Sequence, residues 1–410
     1  MPIDKNHPAI LQDRIPIPSS SDSAILPAVP AACTYEACEV LLIGASILDV
    51  LVHPASEDVF RTGSYEAEEI RMSTGGDALN EATILARMGR KTALNTVIGR
   101  DHAGSFLLRH FEACGICVQE SCISDTVPTG INIVLIDEAG ERHFLTNPKG
   151  SLRRITLQDI SMPFPDAIKI VCFASMFVFP ELGVRELKAV FAQVKKQEKI
   201  LCVDITKRKN NETAQDMAPA LAFVDYLFPN EEEAMLLTGS MDAESAAEVL
   251  FDCGVKNVII KCGSRGCYIK NSAETFYVAP TRPAICIDST GAGDSFAAGF
   301  INGLLQGLSL RKCAELANEY GGNASDRSVR RSGPNPDSDL PVTSKKRGFL
   351  CILVPIVAMV LNLIFLHKVS TVTTAIPILI PIRSPGRTKQ KRKLYTMPRF
   401  LPVPNAVGRS

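Results

Sequence analysis

Residues 288–300 read DSTGAGDSFAAGF. The apolar run AICID leads into Asp288, and Phe296, Phe300, Leu304 and Leu308 then recur at i+4. This predicts a strand, a tight turn, and a helix with one inward stripe. Gly291 and Gly293 let the backbone turn sharply and leave N–H groups aimed out of the helix start. Such a terminus attracts phosphate oxygens through its amides and dipole. Asp294 in the same place repels a phosphate unless it has another task. The chemically sensible task is to accept a proton from an attacking hydroxyl, while the amides of Gly291, Ala292 and Gly293 hold the transferring group. The stretch reads equally well as a plain joint capped by Thr290 or Asp294. No G-x-x-x-x-G-K-[ST] occurs in the chain, and Phe296 stands where a dinucleotide fingerprint needs its third glycine, so both of those nucleotide motifs are excluded.

Working outward, the chain alternates strand and helix from Val40 onward. VLLIGASILDVLV reads as a strand that turns at Gly44 and continues extended, and ALNEATILARMG as an amphipathic helix stopped by Gly89. GINIVLIDEAGERHFLT reads as a hairpin turning at residues 137–140. Buried-type strands recur as IKIVCFAS, KILCVDI, VDYLFPN and VKNVIIKCG, separated by helical runs such as VRELKAVFAQVKKQ and AESAAEVLFDCG. The expectation is a three-layer α/β/α fold with a mostly parallel central sheet. The hairpin lies outside that sheet as part of a small β lid. Gly299, Gly303 and Gly307 predict close packing of their helix on a neighbour.

The 410 residues carry 46% hydrophobic and 21% charged residues, which suits a globular chain with a substantial core. Lys+Arg and Asp+Glu balance at 44 each, so charge gives no case for a nucleic-acid partner. Thirteen cysteines, odd in number and without framework spacing, predict reduced, mostly buried thiols and a cytoplasmic location. CGICVQESC contains one C-x-x-C without a second pair or a nearby His, so it is read as structure rather than a zinc site. Residues 1–34 read as a disordered leader without signal-peptide features.

Several further stretches stand in a familiar order. Together with DSTGAGDSFAAGF, the segments IGASILDV, STGGDALNEA, FPNEEEAMLLTG and IKCGSRGCYI resemble the PfkB/ribokinase family of sugar and nucleoside kinases over roughly residues 38–320. The resemblance implies ATP-dependent phosphorylation of a small sugar hydroxyl with Asp294 as general base and Gly291, Ala292 and Gly293 as anion hole. It implies substrate contacts from Asp49, Gly75, Gly76 and Asn80. It places nucleotide and phosphate at Asn230, Glu233, Lys261, Gly263, Gly266 and Asn318. Mg²⁺ would be held indirectly through Glu233, and a monovalent cation, K⁺, by Asp288 and Thr290. The lid, about 47–72 and 130–146, would exclude water and offer a homodimer contact, with Arg142 on the hairpin as a further candidate for substrate or phosphate.

Each segment also has a plainer reading. Asp49 could end a surface strand, Asp77 could cap its helix, and Asn230 with Glu233 could form a capping arrangement. A nucleoside kinase is the alternative within the same chemistry. A weakly active sugar- or nucleotide-binding relative is the alternative outside it, because the chain departs from the family after Asn318. The kinase domain is expected to span 35–330, followed by an atypical tail, 331–410, in which residues 348–367 form a hydrophobic run long enough to contact a membrane. Either the tail tethers the kinase to a membrane or it stems from an altered reading frame.

Overall fold

The computed structural model describes residues 34–280 and 291–325. Asp288, Thr290, the leader through residue 33, and the tail with its hydrophobic run lie outside the described residues. Among the described residues no helix is long and apolar enough to cross a membrane.

The strands, in chain order, are β1 (Val40–Ile43), β2 (Ile47–His53), β3 (Glu69–Gly75), β4 (Thr92–Asn95), β5 (Ile98–Gly99), β6 (Ile123–Ser124), β7 (Gly130–Ile136), β8 (Arg142–Thr146), β9 (Ile170–Met176), β10 (Ile200–Ile205), β11 (Tyr226–Leu227), β12 (Asn257–Lys261), β13 (Cys267–Lys270) and β14 (Thr275–Val278). The helices are α1 (Asp58–Thr62), α2 (Asp77–Arg87), α3 (His102–Cys114), α4 (Val184–Lys196), α5 (Ala214–Leu221), α6 (Glu231–Thr238), α7 (Ala243–Asp252), α8 (Ala292–Leu305) and α9 (Leu310–Ser325).

Eight strands form the main sheet in the order β14-β13-β12-β11-β10-β9-β1-β4. Pairing is parallel from β12 through β4, and β13 and β14 add an antiparallel edge. Alternate residues of each central strand feed two cores. Leu41, Phe173, Val203 and Ile260 pack with α4, α5, α6 and α7, while Leu42, Cys172, Cys202 and Ile259 pack with α2, α3, α8 and α9. Both sheet faces are therefore dry, which is why these strands read as unbroken apolar runs. The three-layer α/β/α arrangement matches the expected fold class.

A second sheet runs β3-β2-β7-β8 and contains the expected hairpin. Its register sorts the side chains by face. Ser73, Asp49, Asn132 and Thr146 stand in one row, whereas Met72, Val50, Ile133 and Leu145 stand in the next and face the opposite way.

α8 packs on α9 closely enough that a Cβ at Gly303 would sit 2.9 Å from Cys313 Sγ. The predicted inward stripe is correct for buried Phe296 and Phe300, but Leu308 is exposed because α8 ends at Leu305 and the chain has already turned. After that turn α9 runs from Leu310 through Ser325.

Nine described cysteines are free, but Cys117 is disulfide-bonded, so the expectation of reduced thiols fails at that position. The C-x-x-C also has a histidine beside it, contrary to expectation. His110, one turn earlier on α3, brings Nε2 to 3.6 Å from Cys114 Sγ.

Candidate active site

The parallel strands end on a common edge, and the polar residues of the site stand on or just beyond their carboxyl ends. Asp204 is near the end of β10, Lys261 closes β12, and Asn230 caps α6 after β11. Across the turn from β3, α2 begins at Asp77, and the start of α8 completes the group. Open α/β folds gather ligands at this edge because the loops and helix N-termini converge there.

Gly291 is the N-cap of α8 and takes φ 73°, so Asp294, which lies inside the helix, is not its cap; Thr290, the other predicted cap, lies outside the described residues. Glycine adopts that left-handed backbone without Cβ strain and brings no side chain to the first amides of the helix. Asp294 sits one turn in and is 9% exposed. Its Oδ2 accepts a hydrogen bond from Asn80 Nδ2 at 2.7 Å. Burial, then the charge of Asp77, push the Asp294 carboxyl up to about 8, against the pull of Asn80 and Lys261.

Lys261 is the cation of this cluster. Its Nζ lies 2.8 and 2.9 Å from the two oxygens of Asp204. A Cβ built on Gly293 would stand 3.5 Å from that Nζ, so the ammonium faces the beginning of α8. Burial pulls the Lys261 ammonium down, but Asp204 and Glu233 outweigh it and the group ends raised, firmly charged. Burial raises Asp204 as well, with Lys261 opposing.

Three acidic residues of the cluster were not singled out from the sequence as site residues. Asp77 is not the cap of α2, since Gly76 holds that position without a side-chain bond. Instead Asp77 Oδ2 accepts from the Ser175 hydroxyl at the end of β9. Burial and the Asp204 charge raise Asp77 to about 6. Glu81, fully buried on α2, is pushed well up by burial and then by Asp204 and Asp294. One signal for Glu81 was legible: it shares the α2 stripe of Ala78, Ala82 and Leu85, an apolar face where an unpaired carboxylate is out of place.

Asn230 and Glu233 form a complete capping box on α6, each side chain bonded to the other's backbone N–H at 2.8 Å. The plainer reading of this pair therefore holds geometrically. Glu233 nevertheless faces the cluster: burial raises it to about 7, while Lys261 lowers it. Its neighbours do not share that setting, because Glu231 pairs with Arg265 and Glu232 with Lys207.

On the second sheet, Asp49 is raised to about 6 by burial, with Asn132 and Arg142 pulling it down. Asp49 Oδ1 is buried with no hydrogen-bond partner among the described residues. Gly75 makes room for this carboxylate, since a Cβ there would fall 2.2 Å from Asp49 Oδ2. Asn132, missed in the sequence, is held by Thr146 Oγ1 at 2.7 Å and stands beside Asp49 in register. The Asp49 charge also acts on Asp77, which links this sheet to the cluster.

Gly263 and Gly266 bracket the turn between β12 and β13, and Asn318 lies farther along that edge. The Asn318 side-chain amide donates to Val278 O at 2.8 Å, tying α9 to the end of β14. The structure thus brings Asp294, Asn80, Lys261, Asp204, Asp77, Glu81 and Glu233 into one group, with Asp49 in electrostatic reach. It sets Gly263, Gly266 and Asn318 along the β12–β14 edge.

Residues 39–334 match the profile of the pfkB family carbohydrate kinases. An uncharacterized sugar kinase of Archaeoglobus fulgidus is 28% identical over 249 residues, 61% of this chain and 97% of that protein. A 2-dehydro-3-deoxygluconokinase of Bacillus subtilis is 26% identical over 301 residues, 70% of this chain and 90% of the relative. Among solved structures, Arabidopsis thaliana ribokinase complexed with ribose and ATP superposes with a TM-score of 0.58 at 22% identity, covering 73% of this chain and 97% of that one. The chain belongs to the pfkB family of carbohydrate kinases, phosphotransferases that act on a hydroxyl acceptor.

Proposed function

We propose that the chain transfers the γ-phosphoryl group of ATP to a hydroxyl of a small sugar, with Asp294 as the general base. The observation that carries this reading is the place of Asp294 in the first turn of α8: a buried carboxylate raised by its surroundings stands beside a helix start whose N-cap, Gly291, brings no side chain to its amides. A proton acceptor and an anion hole at one helix start are what phosphoryl transfer to a hydroxyl requires.

In this reading Asp49, Asn132, Gly75, Gly76 and Asn80 hold the acceptor, since carboxylate and amide groups recognise adjacent hydroxyls well. Asn80 also orients Asp294. Asp294 takes the hydroxyl proton as the new oxygen–phosphorus bond forms and the bond from the γ-phosphorus to the bridging oxygen breaks, releasing ADP. The amides of Gly291, Ala292 and Gly293, with Lys261, stabilise charge on the transferring oxygens. Nucleotide contacts fall to Asn230, Glu233, Gly263, Gly266 and Asn318, with Asp288 and Thr290 retained as the K⁺ ligands.

The donor set suits a magnesium nucleotide, because hard carboxylate oxygens outnumber the single Lys261 cation. Glu233 would hold Mg²⁺ through water, and the ion would supply neutralising charge at the phosphates. The second sheet serves as the lid of a domain spanning 35–330, and the enzyme is cytoplasmic. The same face of the lid as Val50 carries Ile70, Met72 and Leu145, which are 65%, 45% and 54% exposed. That face fits a homodimer contact, which light scattering on Ile70→Lys would test by loss of the dimer.

Acceptor-dependent ADP release, screened over pentoses, hexoses, keto-deoxy sugar acids and nucleosides, tests the function. Release stimulated by a sugar supports it. Stimulation by nucleosides alone moves the assignment to a nucleoside kinase, and ATP binding without turnover on any acceptor contradicts both.

A further inference from the structure

Among the described residues, the acidic cluster is short of positive charge. Asp204 has Lys261, Asp294 has Asn80, and Asp77 has Ser175. Glu81 has only the Cys172 thiol, a weak donor, at 3.2 Å from Oε2. Among the described residues its Oε1 is buried without a hydrogen-bond partner, in a residue with 0% exposure. A buried carboxylate oxygen left without a partner is expensive, and retaining one implies something that fills the vacant coordination.

The geometry says what fits. Glu81, Asp204 and Asp294 each offer one oxygen, and the three oxygens lie within 4.8 Å of one another. Oxygens around one Mg²⁺, Mn²⁺ or Ca²⁺ stand about 2.0–2.6 Å from the ion, so pairs on opposite sides are separated by roughly 4–5 Å. Three carboxylates drawn from α2, β10 and α8 converge on a space of that size. Lys261 approaches from the Asp204 side and leaves Glu81 unmatched.

We propose that Glu81, Asp204 and Asp294 form a direct binding site for one divalent cation, occupied without nucleotide and distinct from any ion that arrives with ATP. Its ligands come from three elements that are far apart in sequence, so the ion would pin α2 and α8 to the sheet. Asp294 cannot hold the ion and accept a proton at the same time, so the occupied site is a resting state. The site shares Asp294 with the proposed kinase mechanism but does not depend on it, because binding is read without ATP or sugar.

The test is titration of the full-length, EDTA-stripped, nucleotide-free protein with Mn²⁺ alone, followed by electron paramagnetic resonance of the free ion. One Mn²⁺ per chain is expected. Glu81→Gln should weaken binding tenfold or more with its circular dichroism in EDTA unchanged, while Glu233→Gln should change it less than threefold. Should Glu81→Gln not fold, the paired Asp204→Asn/Lys261→Met variant, which removes a ligand together with its counter-ion, should show the same tenfold loss. Absence of binding to wild type without nucleotide overturns the proposal. So does unchanged affinity in the folded ligand variant, or an equal loss in Glu233→Gln.

Discussion

Asn80 on α2 donates a 2.7 Å hydrogen bond to Asp294 on α8, joining residues 214 positions apart. The bond favours the ionised carboxylate and so opposes the burial that raises Asp294 to about 8. Asn80→Ala should therefore raise the Asp294 pKa further. In the ligand-free enzyme the base must be deprotonated to act, so log(kcat/KM) should climb with pH toward about 8 in wild type. In Asn80→Ala the same limb should lie at higher pH. A pH profile of kcat/KM for both proteins checks this, and coincident limbs would remove Asn80 from the tuning of the base.

Asp294 also bears on stability, in the opposite sense from its use. Its carboxyl rises from 3.8 to about 8 on folding, so the folded chain holds that proton more tightly than the unfolded chain. The resulting stabilisation is full below about pH 4 and is lost as pH rises through about 8. Asp294→Asn removes the ionisation. It should melt higher than wild type in EDTA, by about 2–4 °C for each 1 kcal/mol gained, with a larger gain at pH 8.5 than at pH 5. Calorimetry at the two pH values reads the difference directly.

The Lys261–Asp204 pair is buried, with side chains 14% and 7% exposed. Removing one member strands the other, at a cost of about 3–5 kcal/mol. Lys261→Met and Asp204→Asn should each be destabilised on that scale. The double variant should be less destabilised than the sum, because neither partner is then left as an unpaired charge. Urea denaturation of the four proteins measures the coupling.

Gly75→Ala would place a methyl group 2.2 Å from Asp49 Oδ2, so the carboxylate must move. If Asp49 holds the acceptor, KM for the sugar should rise about tenfold or more, as expected for loss of a charged hydrogen bond worth about 1.5–3 kcal/mol. KM for ATP should change little. Steady-state kinetics with each substrate varied separates the two.

The layered fold was legible because strands buried on both faces and amphipathic helices leave plain periodicities. β1, β9, β10 and β12 each show such a run, as do α4 and α7. The grouping of the site was not legible in the same way. Nothing in GGDALNEA says that Asp77 will reach Ser175 on β9, or that the Asp204 of KILCVDI will meet Lys261. Those contacts follow from the parallel order of the sheet, which sets distant strand ends side by side. Resemblance to the family supplied Asp294, Asn80 and Asp49. It did not point to Glu81 or Asp204, which stand within apolar runs, or to Asn132, whose partner across the strand is set by register.

The central claim is that Asp294 accepts the proton from a hydroxyl while the start of α8 holds the transferring phosphoryl group. The most direct measurement compares wild type with Asp294→Asn for ATP affinity and for acceptor-dependent ADP release. The account predicts ATP binding within about twofold and turnover reduced by roughly 10²–10⁴. Turnover by Asp294→Asn at the wild-type rate would contradict it.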